Sequence, residues 1–231
     1  MSTCQITALG NAGFRIESAG KTLLIDAFHG AVPGVAGASI LRPENVGRAD
    51  LILVTHAHYD HFLADQTAQA AASIAAKVVG PQAVVKKLSG LLPSSQLVEL
   101  EPKYLTTGRP DAQSVDLAGV KITALRTFHT REHNSYLIET AEHRFFHDGD
   151  NEQTDRLPLD VLAKLDVLMI APWLGSHWSE TITALAARCW LLMHLTEDEI
   201  AQERRGQFLS QLCSTVPPGL VLLGPGETWQ G

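Results

Sequence analysis

Within seven consecutive residues, Thr55-His56-Ala57-His58-Tyr59-Asp60-His61, the chain sets three imidazoles and a carboxylate. Neutral imidazole nitrogens and carboxylate oxygens are ordinary ligands of Zn²⁺, Fe²⁺ and Mn²⁺, and a turning segment can splay them toward two neighbouring ions. The plain alternative is a solvated turn rich in histidine. With 10 His in 231 residues, chance places this four-position pattern about once per thousand such chains, so the metal reading prevails. The run is too short to complete a two-ion site. Three later residues each follow an expected strand: His129 after residues 120–125, Asp150 after 144–147 in the turn His147-Asp148-Gly149-Asp150, and His194 after 190–193. Singly, such residues are more often surface or supporting groups. Together, at successive strand ends, they complete a set of seven.

The elements that must position them follow from apolar runs and breakers. Residues 4–9, 14–17 and 22–26 read as three short strands punctuated by glycine, an antiparallel meander. Residues 29–48, rich in Gly, Pro and Ala, form a long loop, the kind that is often functional inside a compact domain. Residues 51–54 are wholly apolar, as in a strand buried on both faces, and the Ala-rich stretch 61–76 reads as a helix. The second half repeats the alternation. Strands are expected at 78–79, 120–125, 135–139, 144–147, 167–170, 190–193 and 221–223. Helices are expected at 82–89, 157–164 and 180–187, and from a Thr196/Glu199 capping box to about residue 212. Strand runs mixed with strand–helix units imply an α/β sandwich of four layers, αββα, with residues 1–231 as a single domain.

Composition narrows the partners. Hydrophobic residues make up 45% of the chain and charged residues 19%, enough for a sizeable core. The formal charge is −7 without a Lys/Arg-rich run, which disfavours nucleic acid and anionic membrane and leaves a small molecule, which can be anionic, as the expected partner. Three cysteines, Cys4, Cys189 and Cys213, lack metal-ligand spacing and fit a reducing compartment. The opening residues show no signal-peptide pattern, and no apolar run is long enough to span a membrane. The expected location is therefore the cytoplasm; oligomeric state is not legible.

With the run His56-x-His58-x-Asp60-His61 and the separate His129, Asp150 and His194 in hand, the chain resembles the metallo-β-lactamase superfamily. It resembles more closely still the branch that includes ascorbate-phosphate lactonases and N-acyl-phosphatidylethanolamine phospholipases. That branch opens like Leu-Gly-His-Ala-x-Phe-x-Ile-Glu and Leu-Ile-Asp-Pro, where this chain reads Leu9-Gly10-Asn11-Ala12-Gly13-Phe14-Arg15-Ile16-Glu17 and Leu24-Ile25-Asp26-Ala27. The resemblance implies an αββα fold and two divalent ions, zinc first and manganese or iron as alternatives. It assigns His56, His58 and His129 to one ion, Asp60, His61 and His194 to the other, and Asp150 to both, with Asp26 supporting a ligand. Gly149-Asp150 matches the family's Gly-Asp pair, which selects Asp150 over Asp148. Asn11 and Asn151 stand where His and Thr are usual.

The expected activity is that of a binuclear metal-dependent hydrolase, whose bridging hydroxide cleaves a small ester, lactone or phosphoester, with Asp60 also handling the proton. The alternatives are an iron-dependent, dioxygenase-like oxidoreductase on the same fold and a phosphodiesterase acting on nucleotides. His177, His133 and His29 are candidate substrate contacts, as are Arg126 and Arg131 for a phosphate. His143 and His147 read as structural. No cysteine stands at a predicted ligand position, which speaks against a β-lactamase proper.

Overall fold

The structure, a computed structural model, describes residues 3–172 and 174–231. Its first half opens as the expected meander: Gln5–Gly10 (β1), Gly13–Ser18 (β2) and Lys21–Ile25 (β3) pair antiparallel in sequence order. A long loop, interrupted by a 3₁₀ turn at Pro43–Asn45, leads to Leu51–Leu53 (β4), which lies parallel to β3. Helix Ala64–Ile74 (α1) then crosses to Lys77–Gly80 (β5), and helix Gln82–Leu88 (α2) to Leu97–Glu99 (β6), each new strand parallel to the last.

The second half has the same plan. Ala112–Leu117 (β7), Val120–Arg126 (β8), Asn134–Glu139 (β9) and Arg144–His147 (β10) run antiparallel. Val167–Ile170 (β11), Cys189–Leu192 (β12) and Leu220–Leu222 (β13) continue in parallel. Helices Trp178–Leu185 (α3), Glu197–Glu203 (α4) and Leu209–Leu212 (α5) lie in the crossovers, and Thr228–Gln230 (β14) returns to pair antiparallel with β1. Two seven-stranded sheets result, ordered β14-β1-β2-β3-β4-β5-β6 and β13-β12-β11-β10-β9-β8-β7.

The period-two alternation of strand side chains makes the layers. Ile6, Ile122, Ile138, Val167, Met169 and Leu191 belong to the core between the sheets. Leu168, Ile170, Trp190 and Leu192, on the opposite face of the same strands, pack with Ile182, Leu185 and Ile200 of α3 and α4. On the far side of the first sheet, Leu24, Ile52 and Val78 pack with Ala68, Ala71, Val84 and Leu88 of α1 and α2. The αββα expectation holds, and the wholly apolar run at 167–170 is explained by burial on both faces. Among the described residues, no helix is long and apolar enough to cross a membrane.

The departures have local causes. The helix expected from residue 61 starts at Ala64, because the His61 and Phe62 amides turn back to the His58 carbonyl and Leu63 donates to Phe28. Residues 157–164 form turns instead of a helix. Pro158 opens one turn, closed by Leu162 N–H on its carbonyl at 3.0 Å. Arg144 also donates to the carbonyls of Val161 and Ala163. The helix after Thr196 stops at Glu203 before Gly206, at φ 67°, and a separate short helix follows. The strands β6, β7 and β14 were not anticipated. All three are sheet edges, where one side of the strand is open and the alternation that betrays a buried strand is weak.

Thr196 accepts the Glu199 amide while Glu199 accepts the Thr196 amide at 2.8 Å, closing the box that the sequence predicted. Thr196→Ala should cost about 1 kcal/mol, read as a lower denaturant midpoint with an unchanged slope.

Candidate metal centre

The seven residues singled out by their spacing meet in space. His56 to His61 follow β4, His129 follows β8, Asp150 follows β10 and His194 follows β12. His56, His58, His129 and Asp150 form one group and Asp60, His61 and His194 another, each with ligand-type atoms within 4.8 Å of one another. In the first, His129 Nε2 lies 3.2 Å from His58 Nδ1, and both His56 Nε2 and His129 Nε2 lie 3.7 Å from Asp150 Oδ2. In the second, His194 Nε2 lies 3.4 Å and His61 Nε2 3.9 Å from Asp60 Oδ2. Asp150 joins the two, with Oδ1 3.1 Å from His61 Nε2 and Oδ2 3.5 Å from His194 Nε2.

A supporting layer fixes which nitrogen each ring presents. His61 Nδ1 is 2.8 Å from Asp26 Oδ2, His56 Nδ1 2.9 Å from Thr55 Oγ1 and His129 Nδ1 2.8 Å from Glu152 Oε1. In all three the Nε2 lone pair is left for the centre. Asp26 also accepts the Thr55 amide at 2.8 Å and the Thr55 hydroxyl at 2.6 Å, so one carboxylate pins both the ligand loop and a ligand ring. His56 Nε2, His61 Nε2 and Asp150 Oδ1 are buried without a well-aligned hydrogen bond. Such atoms are costly to leave unsatisfied, and hard oxygen and borderline nitrogen donors converging in this way fit divalent ions.

Within the centre, carboxylates and imidazoles offset one another's charge. Burial alone would raise the Asp150 carboxyl, yet the neighbouring His61 and His194 hold it well below the carboxylate range. Burial works against protonated His194, but Asp150 and Asp60 lift it to about 9. His61 is likewise lifted well above an ordinary imidazole against its own burial, by Asp150 and Asp26. His56 goes the other way: burial first, then His61, drives it neutral. Positive charge is thus favoured at His61 and His194, as a divalent cation would supply it.

Several side chains stand elsewhere than expected. His133, a candidate substrate contact, is fully buried; its Nε2 accepts the Asp150 amide at 2.9 Å and its Nδ1 pairs with Thr127 Oγ1 at 2.8 Å. His29, expected at the pocket rim, is 1% exposed and donates from Nε2 to the Gly10 carbonyl at 3.0 Å. Both therefore shape the backbone and cannot reach a substrate. Arg126 is also buried: it donates to the Pro102 and Arg131 carbonyls and pairs with Glu101 at 2.6 Å, so it is spent on joining two loops. Arg131 is exposed, on a cleft of about 290 Å³ lined by Ala57, His58, Ala83, Thr130 and Glu132. His177 stands exposed at the start of α3, outside the cluster. His143 is structural, bonded to Ser18 Oγ at 2.8 Å, and so is His147, bonded to the Ala12 carbonyl at 2.8 Å.

Sequence reasoning passed over Glu152, Thr55 and the role of Asn151. The Asn151 amide oxygen accepts the Phe128 amide at 3.2 Å and its nitrogen donates to Asp148 at 3.1 Å, tying the His129 loop to the Asp150 turn. Adjacency to a ligand was the available signal for Thr55, Asn151 and Glu152. Gly149, at φ 58°, leaves no room for a Cβ, which would sit 2.4 Å from His133 Nε2. None of Cys4, Cys189 and Cys213 belongs to either group.

Comparison with known proteins shows the family and the fold. Residues 5–192 match the Beta-lactamase superfamily domain. A UPF0173 metal-dependent hydrolase of Nitratidesulfovibrio vulgaris is 28% identical over 97% of this chain and 94% of its own. Another, from Thermococcus onnurineus, is 30% identical over 76% of this chain and 74% of its own. Among solved structures, the metallo hydrolase Igni18 of Ignicoccus hospitalis superposes with a TM-score of 0.68 at 18% identity, covering 99% of this chain and 98% of that one. A diiron β-hydroxylase of Streptomyces venezuelae, CmlA, superposes at 0.67 and 15% identity over 99% of this chain but 54% of its own. Both likenesses concern the fold.

Asp26→Asn should weaken the binding of one divalent ion by about 10–100-fold, since an amide has one acceptor oxygen and cannot serve both the Thr55 amide, on Oδ1, and the Thr55 hydroxyl and His61, on Oδ2. Titration with Zn²⁺ against a chromophoric chelator measures it, with circular dichroism as the check on folding.

Proposed function

Because the chain belongs to the metallo-β-lactamase superfamily and its relatives are metal-dependent hydrolases, we propose that it hydrolyses a small ester, lactone or phosphoester with two divalent ions held by the seven residues above. The observation that carries this reading is the Asp150 carboxylate, which lies within 3.7 Å of imidazole nitrogens from both groups. His56, His58 and His129 would hold one ion, Asp60, His61 and His194 the other, and Asp150 both. Zinc suits this donor set first, with manganese and iron as alternatives. When bound, such a pair lowers the pKa of a shared water and offsets charge on the attacked and leaving oxygens.

The chain's own groups do the rest. Asp60, whose side chain is 12% exposed beside His194, would orient the attacking water and accept its proton. The half-buried His129 and exposed His58 mark the open side of the centre. There Arg131 offers a guanidinium to a substrate anion. The whole chain is read as one hydrolase domain acting on a soluble small molecule, and −7 net charge argues against a nucleic-acid substrate.

The iron-dependent reading is separated from this one by metal content. Protein purified without a chelating tag should hold about two equivalents of zinc or manganese by plasma mass spectrometry; mostly iron, with oxygen consumption, would favour the redox alternative. Asp60→Ala should lower kcat by about 100-fold or more with its fold intact, and undiminished turnover would remove Asp60 from the chemistry. Arg131→Ala should raise KM about tenfold for an anionic substrate, the loss of one charged hydrogen bond, while leaving that for a neutral ester unchanged.

A further inference from the structure

The turn between β1 and β2 contributes to neither ligand group, yet loops that carry ligands are bonded to it, those of Asp60 and His194 through Asn11. The Gly10 carbonyl accepts His29 Nε2 at 3.0 Å. The Ala12 carbonyl accepts His147 Nε2 at 2.8 Å, and His147 Nδ1 in turn accepts the Gly149 amide at 3.2 Å. Between them, Asn11 bonds twice. Its main-chain carbonyl accepts the His194 amide at 3.0 Å, and its side-chain Nδ2 donates to the Asp60 carbonyl at 2.8 Å. A carbonyl only accepts, so the chemistry fixes which end of the Asn11 amide faces Asp60.

Two features of Asn11 cost stability. Its φ is 47°, in the left-handed region that asparagine enters more readily than most residues. Its Oδ1 is buried without a hydrogen-bond partner. Strain and an unpaired acceptor persist where the surroundings over-determine a residue, and they cluster at functional sites. What they secure here is the spacing of Asp60 and His194, which sit on loops of different sheets. The first group is held by other means: His129 by Glu152 and, through Phe128, by Asn151, and His56 by Thr55.

We propose that Asn11 is a positioning residue for one ion of the pair. By joining the Asp60 and His194 backbones it builds the second group, and its loss weakens that ion's site while sparing the other. The inference rests on the two-ion reading above.

The test is Zn²⁺ titration of the full chain by calorimetry, comparing wild type with Asn11→Gly and Asn11→Asp. Glycine accepts the positive φ and removes only the side chain. Aspartate keeps the shape but sets a carboxylate oxygen against the Asp60 carbonyl, and it keeps the test open should the glycine variant lose its fold by circular dichroism. The expected result is two ions for wild type, with one ion unchanged and the other weakened at least about tenfold in either variant. Adding Asp60→Ala to Asn11→Gly should then cost the remaining ion nothing further, since both act on the same site. Wild-type affinity for both ions in a folded variant overturns the proposal, as does equal weakening of both, which is the mark of a general structural role. A wild-type chain that takes up fewer than two ions overturns the two-ion reading itself, and this inference falls with it.

Discussion

A carboxylate buried among imidazoles governs this fold. Asp150 is 4% exposed, and a charge at that depth is tolerated only when paired and hydrogen-bonded. Its neighbours supply this from two directions: His61 and His194 in one group, His56 and His129 in the other. Behind it, His133 takes its amide, Thr127 takes His133, and Ser135 links Thr127 to Asp148. Asp148 is itself raised to about 7 by burial, against the pull of Asn151 and Ser135. The turn after β10 is a polar seam inside an apolar sandwich, stable because nearly every group in it has a partner.

The architecture explains how such a seam can form. Each half of the chain runs antiparallel through its first strands and parallel through its later ones, and the loops that carry Asp26, His56 to His61, Asp150 and His194 all leave the ends of strands near the junction between these regimes. Asp26 at φ 43° and His194 at φ 60° show that the loops turn sharply there. Such backbone is expensive, and it lets short loops from two sheets aim side chains at one point.

Much of this was legible in the sequence, for reasons that differ by element. The interior strands β4 and β11 announce themselves by unbroken apolar runs, and the ligand loop by a histidine spacing too improbable to be incidental. The seven ligand candidates could be chosen because each follows a recognisable strand. What escaped was whatever depends on distant contacts. His133 and His29 look, in one dimension, like candidate substrate contacts; only packing reveals that Gly149 leaves its space to the first and that the second serves the Gly10 carbonyl. Arg126 and Arg131 are five residues apart and alike in sequence, yet one is buried under a loop and the other faces solvent. The turns at 157–164 are bonded to Arg144, on another element altogether.

The strand that closes the first sheet has a consequence for how the chain assembles. β14 pairs with β1, and Thr7 and Thr228, which share a hydroxyl contact of 2.9 Å, are 221 residues apart. During synthesis, β1 emerges with its β14-facing edge open and is covered only once the chain 221 residues further on has followed. Long-range pairing of this kind slows folding and leaves an exposed edge as a point of misassociation. The edge left open in the newborn chain belongs to the strand leading into the turn on which Asp60 and His194 hang.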